Sequence, residues 1–512
     1  MGILLVILTA SIWIFIAVTA LACLRASLAY YALGFYRNQG IRSYFAPLLG
    51  IAGVALRKKT AGARRFDEYL AKLVKDDYER GAIAHTGIGS EGSVVMLLTA
   101  EYVKDYIAQE DKFIRKKLVP VANNFIGFFD THGPDALKER NIFQEIFHYE
   151  KIKSLVPKML REIDAGFSKF VENNKLTKDL FTKVDLSEIF SDIMLRVGLV
   201  LIFSQENLTD DSIEVQIAKN AREIVQLGFN LMLNPLANLF PMIFKSFPIL
   251  SSDLTEMRHR TESQKSLLKK YIDQRQSEAQ LDDSAFDRII IHNNRCRYDG
   301  RLSDIMEIDS IQGTLNLLIF AAFDSSQSMA ILNLCLMAER PDIRDQVTKI
   351  ANEIFDERGH TTADIVESHE QLSMYMREAM RLESPSVGIS TRIATKDVTI
   401  RDIIVRKGDQ VLVLLAPLNM DDRYFPEPSE FVFDRFSKEN VRKNAIPKHQ
   451  VIAFGLGKRA CIGKSLGELA VKLFITSMCM RFEFTKPADT QYFTTSRPFR
   501  CEVEPFINLK LK

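Results

Sequence analysis

The chain has 512 residues, of which 47% are hydrophobic and 26% are charged, which is typical of a globular protein and unlike a disordered chain. Its 67 Lys and Arg residues nearly balance 65 Asp and Glu residues, which argues against the concentrated basic surface of a nucleic-acid-binding protein. The charge is uneven, however. Residues 1–66 hold six Arg, two Lys and no acidic residue, a local charge of +8, so residues 67–512 sum to −6.

The N-terminal segment predicts a membrane anchor. Residues 1–24 carry no charged side chain, and the apolar stretch from Ile3 to Cys23 would span roughly 30 Å as a helix, the thickness of a bilayer core. The alternative is a cleaved signal peptide, which usually has a basic start and an apolar stretch of about 7–15 residues. Because this stretch is longer and no basic residue precedes it, we favour an uncleaved transmembrane helix over 1–24.

Residues 25–66 form a basic linker behind the predicted anchor. By the positive-inside rule, its Arg and Lys side chains hold the downstream chain on the cytoplasmic side. They also favour contact with anionic lipid over the alternative of a solvated linker. Tyr30, Tyr31, Phe35 and Tyr36 suit an aromatic belt at the membrane interface.

Residues 67–512 predict one mainly α-helical domain with small β-sheets. No linker or repeat divides this region, and most of it shows apolar residues at helical spacing. The stretch Ile311–Met337 is too apolar for a surface helix, so we expect it at the centre of the protein. The predicted strands are Val94–Leu98, Arg392–Ile400, Gln410–Leu415 and hairpins from Phe482 onward.

One motif in this region matches a dinucleotide-binding pattern but lacks its structural context. Residues Gly87–Gly92 fit the GxGxxG pattern of dinucleotide-binding proteins. That fingerprint needs a strand before the glycines and a helix opening at them. Here the apolar β-branched residues follow the glycines, so the sequence predicts a turn into a strand.

Cys461 differs from four other cysteines that the sequence predicts to be small buried hydrophobes: Cys296, Cys335, Cys479 and Cys501. It lies in Phe454–Gly463, where three glycines permit a tight backbone and Arg459 adds positive charge. A helix is predicted over Lys464–Met480, and both helix N-termini and cations favour a thiolate. The sequence offers neither a nearby histidine base nor a second ligand at zinc spacing. A single thiolate suffices for the axial ligation of a haem iron.

The segment Phe454–Gly463 resembles the FxxGxRxCxG signature of the cytochrome P-450 superfamily of haem-thiolate monooxygenases at every defined position. The other elements of the family occur in the family's order in the C-terminal part of the chain. The resemblance implies the mainly α fold of that family and a haem b cofactor. It also implies that Cys461 is the axial metal ligand and that Phe454 and Gly463 contact the cofactor.

Glu378 and Arg381 match the ExxR pair of the family. Such a pair at i,i+3 is ordinarily a surface ion pair, but this one lies in an apolar helix that ends at Pro385. Buried charges must be paired to be tolerated. The resemblance implies that Arg435 is the third member, although Phe433 replaces the usual proline of its motif, and that the three hold the cysteine loop.

Residues Ala321–Ser326, in the long apolar helix, resemble the AGxDTT segment of the family. The resemblance implies that Asp324 and Ser325 deliver protons during oxygen activation. The chain departs from the family at Ala322, where glycine is usual, and at Ser325, where threonine is usual. The alternative is that Asp324 caps a break in the helix.

The resemblance also implies that Arg140, Arg392 and Arg459 bind the haem propionates, because arginine pairs with carboxylates in a bidentate geometry. Arg459 belongs to the cysteine loop, and Arg392 opens the strand predicted after the ExxR helix. Arg140 fits the last position of a WxxxR pattern in which Ala136 replaces the tryptophan.

The microsomal members of the family imply a single-pass protein of the endoplasmic reticulum membrane with a cytosolic catalytic domain over 67–512. Such an enzyme inserts one oxygen atom from O2 into an apolar small molecule, using electrons from NADPH. A separate reductase supplies those electrons, cytochrome b5 is a further candidate donor, and membrane lipid is a partner. Two alternatives stay open: a haem-thiolate isomerase or dehydratase that acts on hydroperoxides without a reductase, and a non-catalytic haem or lipid binder.

Overall fold

The computed structural model describes residues 27–45, 71–86, 92–117, 119, 125–129, 131, 133–205, 208–234, 237, 241–247, 249, 251–277, 281, 284–386, 388–492, 495–497, 500–502 and 505–512. It also describes positions 13, 16, 19, 20, 23 and 24, which are helical. The rest of the predicted anchor lies outside the described residues. So do positions 87–91 of the glycine motif.

The fold divides into two compact units. We call Met1–Ala63, Tyr69–Lys116 and Gly388–Leu418 the sheet unit, and Arg64–Glu68, Lys117–Val387 and Asn419–Lys512 the helical unit. The structure as a whole is mainly helical with small sheets, which confirms the predicted fold class. The division into 1–24, 25–66 and 67–512 stays a prediction.

The sheet unit contains a six-stranded mixed sheet in the order β1-β2-β3-β9-β6-β4 and a two-stranded hairpin, β7-β8. Its apolar core includes Ile83 and Met96 from the first strands and Leu412 and Leu414 from β9. Helix α1 spans residues 27–37, and helix α2 spans Ala100–Ile107. The strands are β1 (Ser43–Phe45), β2 (Ala82–Thr86), β3 (Val94–Leu97), β4 (Phe113–Arg115), β6 (Gly388–Ala394), β7 (Val398–Ile400), β8 (Ile403–Val405) and β9 (Gln410–Leu414).

Two of the predicted strands in this unit are confirmed, and one is wrong. β3 and β9 lie where strands are predicted to follow turn residues. The single strand expected over Arg392–Ile400 is instead two strands, because the chain turns between Ala394 and Val398. Asp397 stabilises that turn by accepting a hydrogen bond from the Lys407 N–H at 2.7 Å.

The helical unit holds most of the helices. They are α3 (Gly133–Gln144), α4 (Tyr149–Asn174), α5 (Ser187–Phe203), α6 (Ile213–Leu233), α7 (Pro241–Ser246), α8 (Ser252–Gln276), α9 (Ala285–Tyr298), α10 (Ile308–Glu339), α11 (Pro341–Ile354), α12 (Ala363–Ser368), α13 (Glu370–Leu382), α15 (Lys438–Lys443) and α16 (Lys464–Arg481), while α14 (Leu415–Asn419) joins the two units in sequence. The C-terminal hairpins are confirmed by β10 (Phe482–Thr485), β11 (Thr495–Arg497), β12 (Arg500–Glu502) and β13 (Phe506–Leu511). β13 also pairs with β5 (Thr182–Asp185).

The 32-residue helix α10 runs through the core of the helical unit, as its composition predicts. It packs against α5, α6, α8 and α16. Among the described residues, one helical stretch, Leu302–Glu339, is long and apolar enough to cross a membrane. Since 67% of its most apolar window is buried inside the protein, it has the character of a core helix.

Aromatic packing fixes α16 against its neighbours. The Phe474 ring of α16 lies 4.6 Å from the Phe190 ring of α5 and 5.3 Å from the Phe167 ring of α4. Phe482 of β10 packs edge-on against Phe167 at 5.4 Å. These contacts define the position of the helix that begins directly after Cys461.

Candidate active site

The cysteine loop, residues 454–463, is closed by its own backbone. Gly455 and Gly457 have φ angles of +71° and +73°, a region that glycine adopts without steric cost. The Cys461 N–H donates a hydrogen bond to the Phe454 carbonyl at 2.8 Å. The loop therefore holds Cys461 just before the first turn of α16.

The Cys461 thiol is accessible although its surroundings are crowded. Its surface is exposed, yet burial is the largest influence on the pKa of the thiol and raises it. A hydrogen bond from the Gly463 N–H and the charges of Arg140 and Lys464 lower the pKa, whereas the Glu468 carboxylate raises it. Burial thus favours the neutral thiol, whereas a bound metal ion would favour the thiolate.

Two of the predicted propionate partners lie at this loop. The Arg140 guanidinium, on α3, donates to the Ala460 carbonyl at 2.8 Å. The Arg459 guanidinium donates to the carbonyls of Phe128 and Thr131, both at 3.1 Å. The structure therefore brings two cations to the residues that flank Cys461.

The third predicted partner, Arg392, belongs to the sheet unit. It lies in the middle of β6, not at the start of a strand as predicted, because β6 already begins at Gly388. In register it faces Arg115 of β4 and Val411 of β9. Its buried side chain forms an ion pair with Glu110 at 3.5 Å. Its role toward a cofactor stays a prediction.

Asp324 and Ser325 lie in the middle of α10. The helix is continuous through them, so the alternative that Asp324 caps a break is wrong. The Ser325 hydroxyl donates to the Ala321 carbonyl one turn earlier at 3.3 Å, a type of bond that often bends helices. Ala321 and Ser325 are exposed in a helix that is otherwise mostly buried, so this edge of α10 is accessible.

Gly467, on the first turn of α16, connects α10 to the cysteine loop. A Cβ at Gly467 would lie 3.9 Å from the Ser326 Oγ of α10 and 4.0 Å from a ring carbon of Phe454. The turn that carries Asp324 and Ser325 and the loop that carries Cys461 therefore meet at one place in the helical unit.

A second glycine accommodates the departure from the family at Ala322. Gly198 lies on α5, where that helix crosses α10. A Cβ at Gly198 would lie only 2.8 Å from the Cβ of Ala322, closer than two such atoms can approach. The methyl group of Ala322 is thus accommodated because its neighbour across the helix pair has none.

Glu378, Arg381 and Arg435 form a buried cluster, as predicted for the ExxR pair and its third member. The Arg381 Nε and Nη2 donate to the two Glu378 carboxylate oxygens at 2.8 Å, and the Arg435 Nε donates to Glu378 Oε1 at 2.9 Å. Their side chains are at most 3% exposed. One carboxylate therefore compensates two cations in a buried site.

The two arginines donate further hydrogen bonds to backbone carbonyls. Arg381 donates to the carbonyls of Asn419, Pro428 and Glu430, and Arg435 donates to those of Pro426, Glu427 and Glu430. The Val432 N–H donates to Glu378 Oε1 at 3.0 Å. The cluster therefore fixes the irregular segment 419–435, which has few backbone hydrogen bonds of its own.

Phe433, which replaces a proline of the family pattern, takes part in aromatic packing. Its ring lies 6.0 Å from the ring of Tyr375 on α13 and 6.2 Å from that of Phe431. Tyr375 in turn donates its hydroxyl proton to the Asn333 side chain of α10 at 2.6 Å. Phe433 therefore links the segment 419–435 to α13 by packing, where a proline would stiffen the backbone.

A family model described as Cytochrome P450 matches residues 55–501, which is most of the chain. The chain belongs to the cytochrome P450 family. Members of this family bind haem, and with it iron, through a cysteine thiolate.

Curated relatives agree with this assignment. The chain is 32% identical to cytochrome P450 3A41 of Mus musculus over 39% of each chain, and 24% identical to cytochrome P450 3A6 of Oryctolagus cuniculus over 70% of each chain. It is 34% identical to the lithocholate 6-beta-hydroxylase of Mesocricetus auratus over 32% of each chain. The chain thus spans about two fifths of the length of the first of these relatives and a third of that of the last.

The residues around Cys461 fit a haem. The Thr131 hydroxyl is buried and has no hydrogen-bond partner among the described residues, although its own carbonyl binds Arg459. Such an orphaned hydroxyl beside a cation suits a carboxylate ligand. The thiol, the two guanidiniums of Arg140 and Arg459 and this hydroxyl match a flat iron macrocycle that carries two carboxylates.

Sequence reasoning missed Gly198, Thr131 and Glu468. An isolated glycine in the apolar helix α5 was an available signal, because glycine there weakens a helix and usually has a packing reason. Thr131 and Glu468 belong to no pattern. Their importance comes from the three-dimensional neighbourhood of Arg459 and Cys461.

Replacing the shared carboxylate should destabilise the protein strongly. Glu378→Gln leaves Arg381 and Arg435 without compensation in a buried site, so we expect a loss of about 3–5 kcal/mol in the free energy of unfolding. Glu262→Gln is the matched control, because Glu262 forms an exposed i,i+3 pair with Lys265 at 3.0 Å and should change little. Chemical denaturation measures both variants. Equal losses would contradict a special role for the buried cluster.

The contact between Gly198 and Ala322 predicts that a larger side chain at position 198 can be offset by a smaller one at position 322. Gly198→Ala should cost about 1–3 kcal/mol by overpacking, and Ala322→Gly in the same chain should restore most of the loss. Gly34→Ala is the control, because only an Arg37 side-chain atom lies near that helical glycine, at 3.9 Å. A double-mutant cycle from thermal unfolding tests the pair. Purely additive effects would show that the two positions do not interact.

Proposed function

We propose that the chain is a haem-thiolate monooxygenase in which the Cys461 thiolate would hold the haem iron. The observation that carries the proposal is an accessible thiol in the cysteine loop of a chain that belongs to the cytochrome P450 family. Haem supplies the oxygen chemistry when it is bound, and a thiolate ligand favours O–O cleavage. The protein contributes ligation, orientation and proton access.

Arg140 and Arg459 would hold the propionates, with the Thr131 hydroxyl as an additional donor. Bidentate guanidinium–carboxylate pairs give both charge compensation and orientation. Each guanidinium already donates to a loop or neighbouring carbonyl, so binding would extend an existing network. Phe454 and Gly463 would contact the macrocycle. A Cβ at Gly463 would lie 4.0 Å from the Cys461 sulfur, which places this glycine next to the proposed ligand.

Ser325 and Asp324 would deliver protons at the accessible edge of α10. The Ser325 hydroxyl donates to the Ala321 carbonyl but is exposed, so it can turn and donate elsewhere. Asp324 is half-buried on the adjacent position and can supply the proton that the hydroxyl passes on. Asp324 and Ser325 lie on one helix, so passing a proton between them would need little rearrangement of the protein.

The substrate would be an apolar small molecule that gains one oxygen atom from O2. The paired rings of Phe229 on α6 and Phe320 on α10, 5.3 Å apart, support an apolar binding region, since Phe320 immediately precedes the exposed edge at Ala321. The name of the Mesocricetus auratus relative specifies a hydroxylase, which supports hydroxylation as the reaction.

The electrons would come from NADPH through a separate reductase, with cytochrome b5 as a further candidate donor. We place the enzyme in the endoplasmic reticulum membrane as a single-pass protein with a cytosolic catalytic domain over 67–512. The uncharged run at 1–24, the basic residues that follow it and the similarity to 3A enzymes support this location. Membrane lipid is then a further partner.

The experiment reconstitutes the purified full-length protein with an NADPH-dependent reductase and a panel of sterols and fatty acids. We expect NADPH-dependent incorporation of one oxygen atom from labelled O2 into a substrate. Ser325→Ala should lower the product formed per NADPH roughly tenfold or more, since positioned proton donors contribute about 10²–10⁴-fold and water replaces a lost hydroxyl in part.

Ser328→Ala is the matched control, because Ser328 is a buried serine on the same helix and should change little. Turnover of hydroperoxides without reductase, and no oxygen incorporation with it, would show a haem-thiolate isomerase instead. Haem binding without any turnover would show a binding protein. Either result would overturn the proposal.

A further inference from the structure

Helix α1, which follows the predicted anchor, is docked onto the sheet unit rather than lying free as a linker. Leu33 and Tyr36 on its inner face are completely buried. The Tyr36 hydroxyl donates to Asp409 Oδ2 at 2.7 Å, a buried bond between positions 373 residues apart. This burial also corrects the prediction that Tyr36 belongs to an interfacial aromatic belt, because its side chain packs into the protein.

Asp409 is the centre of a buried polar network. Its Oδ2 also accepts a hydrogen bond from the Arg406 Nε at 3.0 Å, and its Oδ1 accepts one from the Ser93 N–H at 2.7 Å. The carboxylate thus binds α1, the turn before β9 and the start of β3 at once. A buried carboxylate with several donors is costly to disturb, because each lost partner leaves an uncompensated polar group.

The C-terminal end of α1 is held at further points. The Arg406 guanidinium stacks on the Phe35 ring at 4.6 Å. The Gln39 side chain pairs with the backbone of Ile404, accepting from its N–H at 2.7 Å and donating to its carbonyl at 3.2 Å. The Arg80 Nε donates to the Gln39 carbonyl at 3.1 Å. The helix therefore has a fixed orientation on the sheet.

The opposite face of α1 carries exposed apolar side chains, which we call the outer stripe. It consists of Leu28 and Tyr31, which are 61% and 75% exposed. Their spacing of three residues places them on one side of the helix, opposite Leu33. Leu24, which precedes α1, is also helical and 56% exposed.

A bilayer is the partner that fits the outer stripe. The stripe continues directly from the uncharged apolar run that ends at Leu24, and Trp13 and Ile16 within that run are helical and exposed. Arg37, at the end of α1, places its guanidinium 4.5 Å from the Tyr30 ring. An aromatic and a cation at the end of an apolar stripe match the lipid interface and its anionic headgroups.

We propose that α1 lies in the membrane interface with the outer stripe in lipid, and that the Tyr36–Asp409 bond locks it to the sheet unit. The anchor then sets the tilt of the sheet unit on the membrane instead of tethering it flexibly. The inference rests on the proposed membrane attachment of the chain. It goes beyond that attachment in naming the lipid-facing side of α1 and the bond that transmits orientation.

The first experiment measures lipid contact with a single tryptophan. The chain contains one Trp, so Trp13→Phe gives a protein without tryptophan fluorescence, into which Tyr31→Trp is introduced. Tyr298→Trp in the same background is the matched control, because Tyr298 is 92% exposed and lies outside α1. The full-length protein is bound to phosphatidylcholine–phosphatidylserine vesicles with brominated acyl chains. We expect loss of fluorescence at position 31 by the bromolipid and not by aqueous iodide, with the reverse at position 298.

Vesicle flotation in the same samples separates the two claims. Failure to float would overturn the membrane attachment itself. Flotation with iodide quenching at position 31 would overturn the lipid-facing stripe while leaving the anchor intact. Protection at position 31 from both quenchers, with dimers on chemical cross-linking, would show that a second copy covers the stripe, which also overturns the inference.

The second experiment tests the lock. Tyr36→Phe removes only the hydroxyl, and we expect faster hydrogen exchange of the backbone amides in 33–41 in vesicle-bound protein. Tyr44→Phe is the control, because the Tyr44 hydroxyl makes a longer, half-buried contact with Asp77 at 3.5 Å in the same unit. Unchanged exchange in 33–41 for Tyr36→Phe, or the same increase for both variants, would contradict the lock.

Discussion

The Glu378 carboxylate, shared by two buried arginines, is the interaction on which the proposed chemistry depends. Burying three charges is unfavourable unless each is paired and hydrogen-bonded. Here the pairing is completed by backbone carbonyls of the segment 419–435, so the cluster is satisfied only when that segment has its native path. Compensating the three charges thus fixes the path of the backbone that leads toward the cysteine loop.

The rest of the site is held by short, local contacts. The Cys461 N–H bond to the Phe454 carbonyl fixes the loop, and Gly467 lies where α10 meets it. The result is a thiol that is accessible to a ligand while protein groups crowd it on its other sides. A rigid, partly desolvated ligand of this kind is what a metal-binding position requires.

The departures from the family pattern are accommodated by neighbours rather than by changes in the fold. Gly198 leaves room for the methyl group of Ala322, and Phe433 packs on Tyr375 where the family has proline. Ala136 is completely buried where the family has tryptophan, and the Thr131 hydroxyl lies beside Arg459 as an unused donor. The first two departures are thus accommodated by the packing of Gly198 and Tyr375.

The sequence predicts those features that depend on local pattern. The core helix α10, the helix α16 after Cys461, the strands β3 and β9 and the Glu378–Arg381–Arg435 cluster follow from apolar periodicity or from motifs. The turn inside Arg392–Ile400 was missed because it depends on a bond from Lys407, ten residues beyond Asp397. The burial of Tyr36 was missed for the same reason, since its partner Asp409 lies 373 residues away. Long-range partners have no local signal in a single sequence.

The reduced carbon-monoxide difference spectrum of purified full-length protein tests the central claim most directly. We expect a red-shifted, thiolate-type band from the wild type and from Cys296→Ala, whose cysteine is buried away from the loop, and no such band from Cys461→Ala. A thiolate-type band that persists in Cys461→Ala, or its absence from folded, haem-replete wild type, would contradict the assignment of Cys461 as the iron ligand.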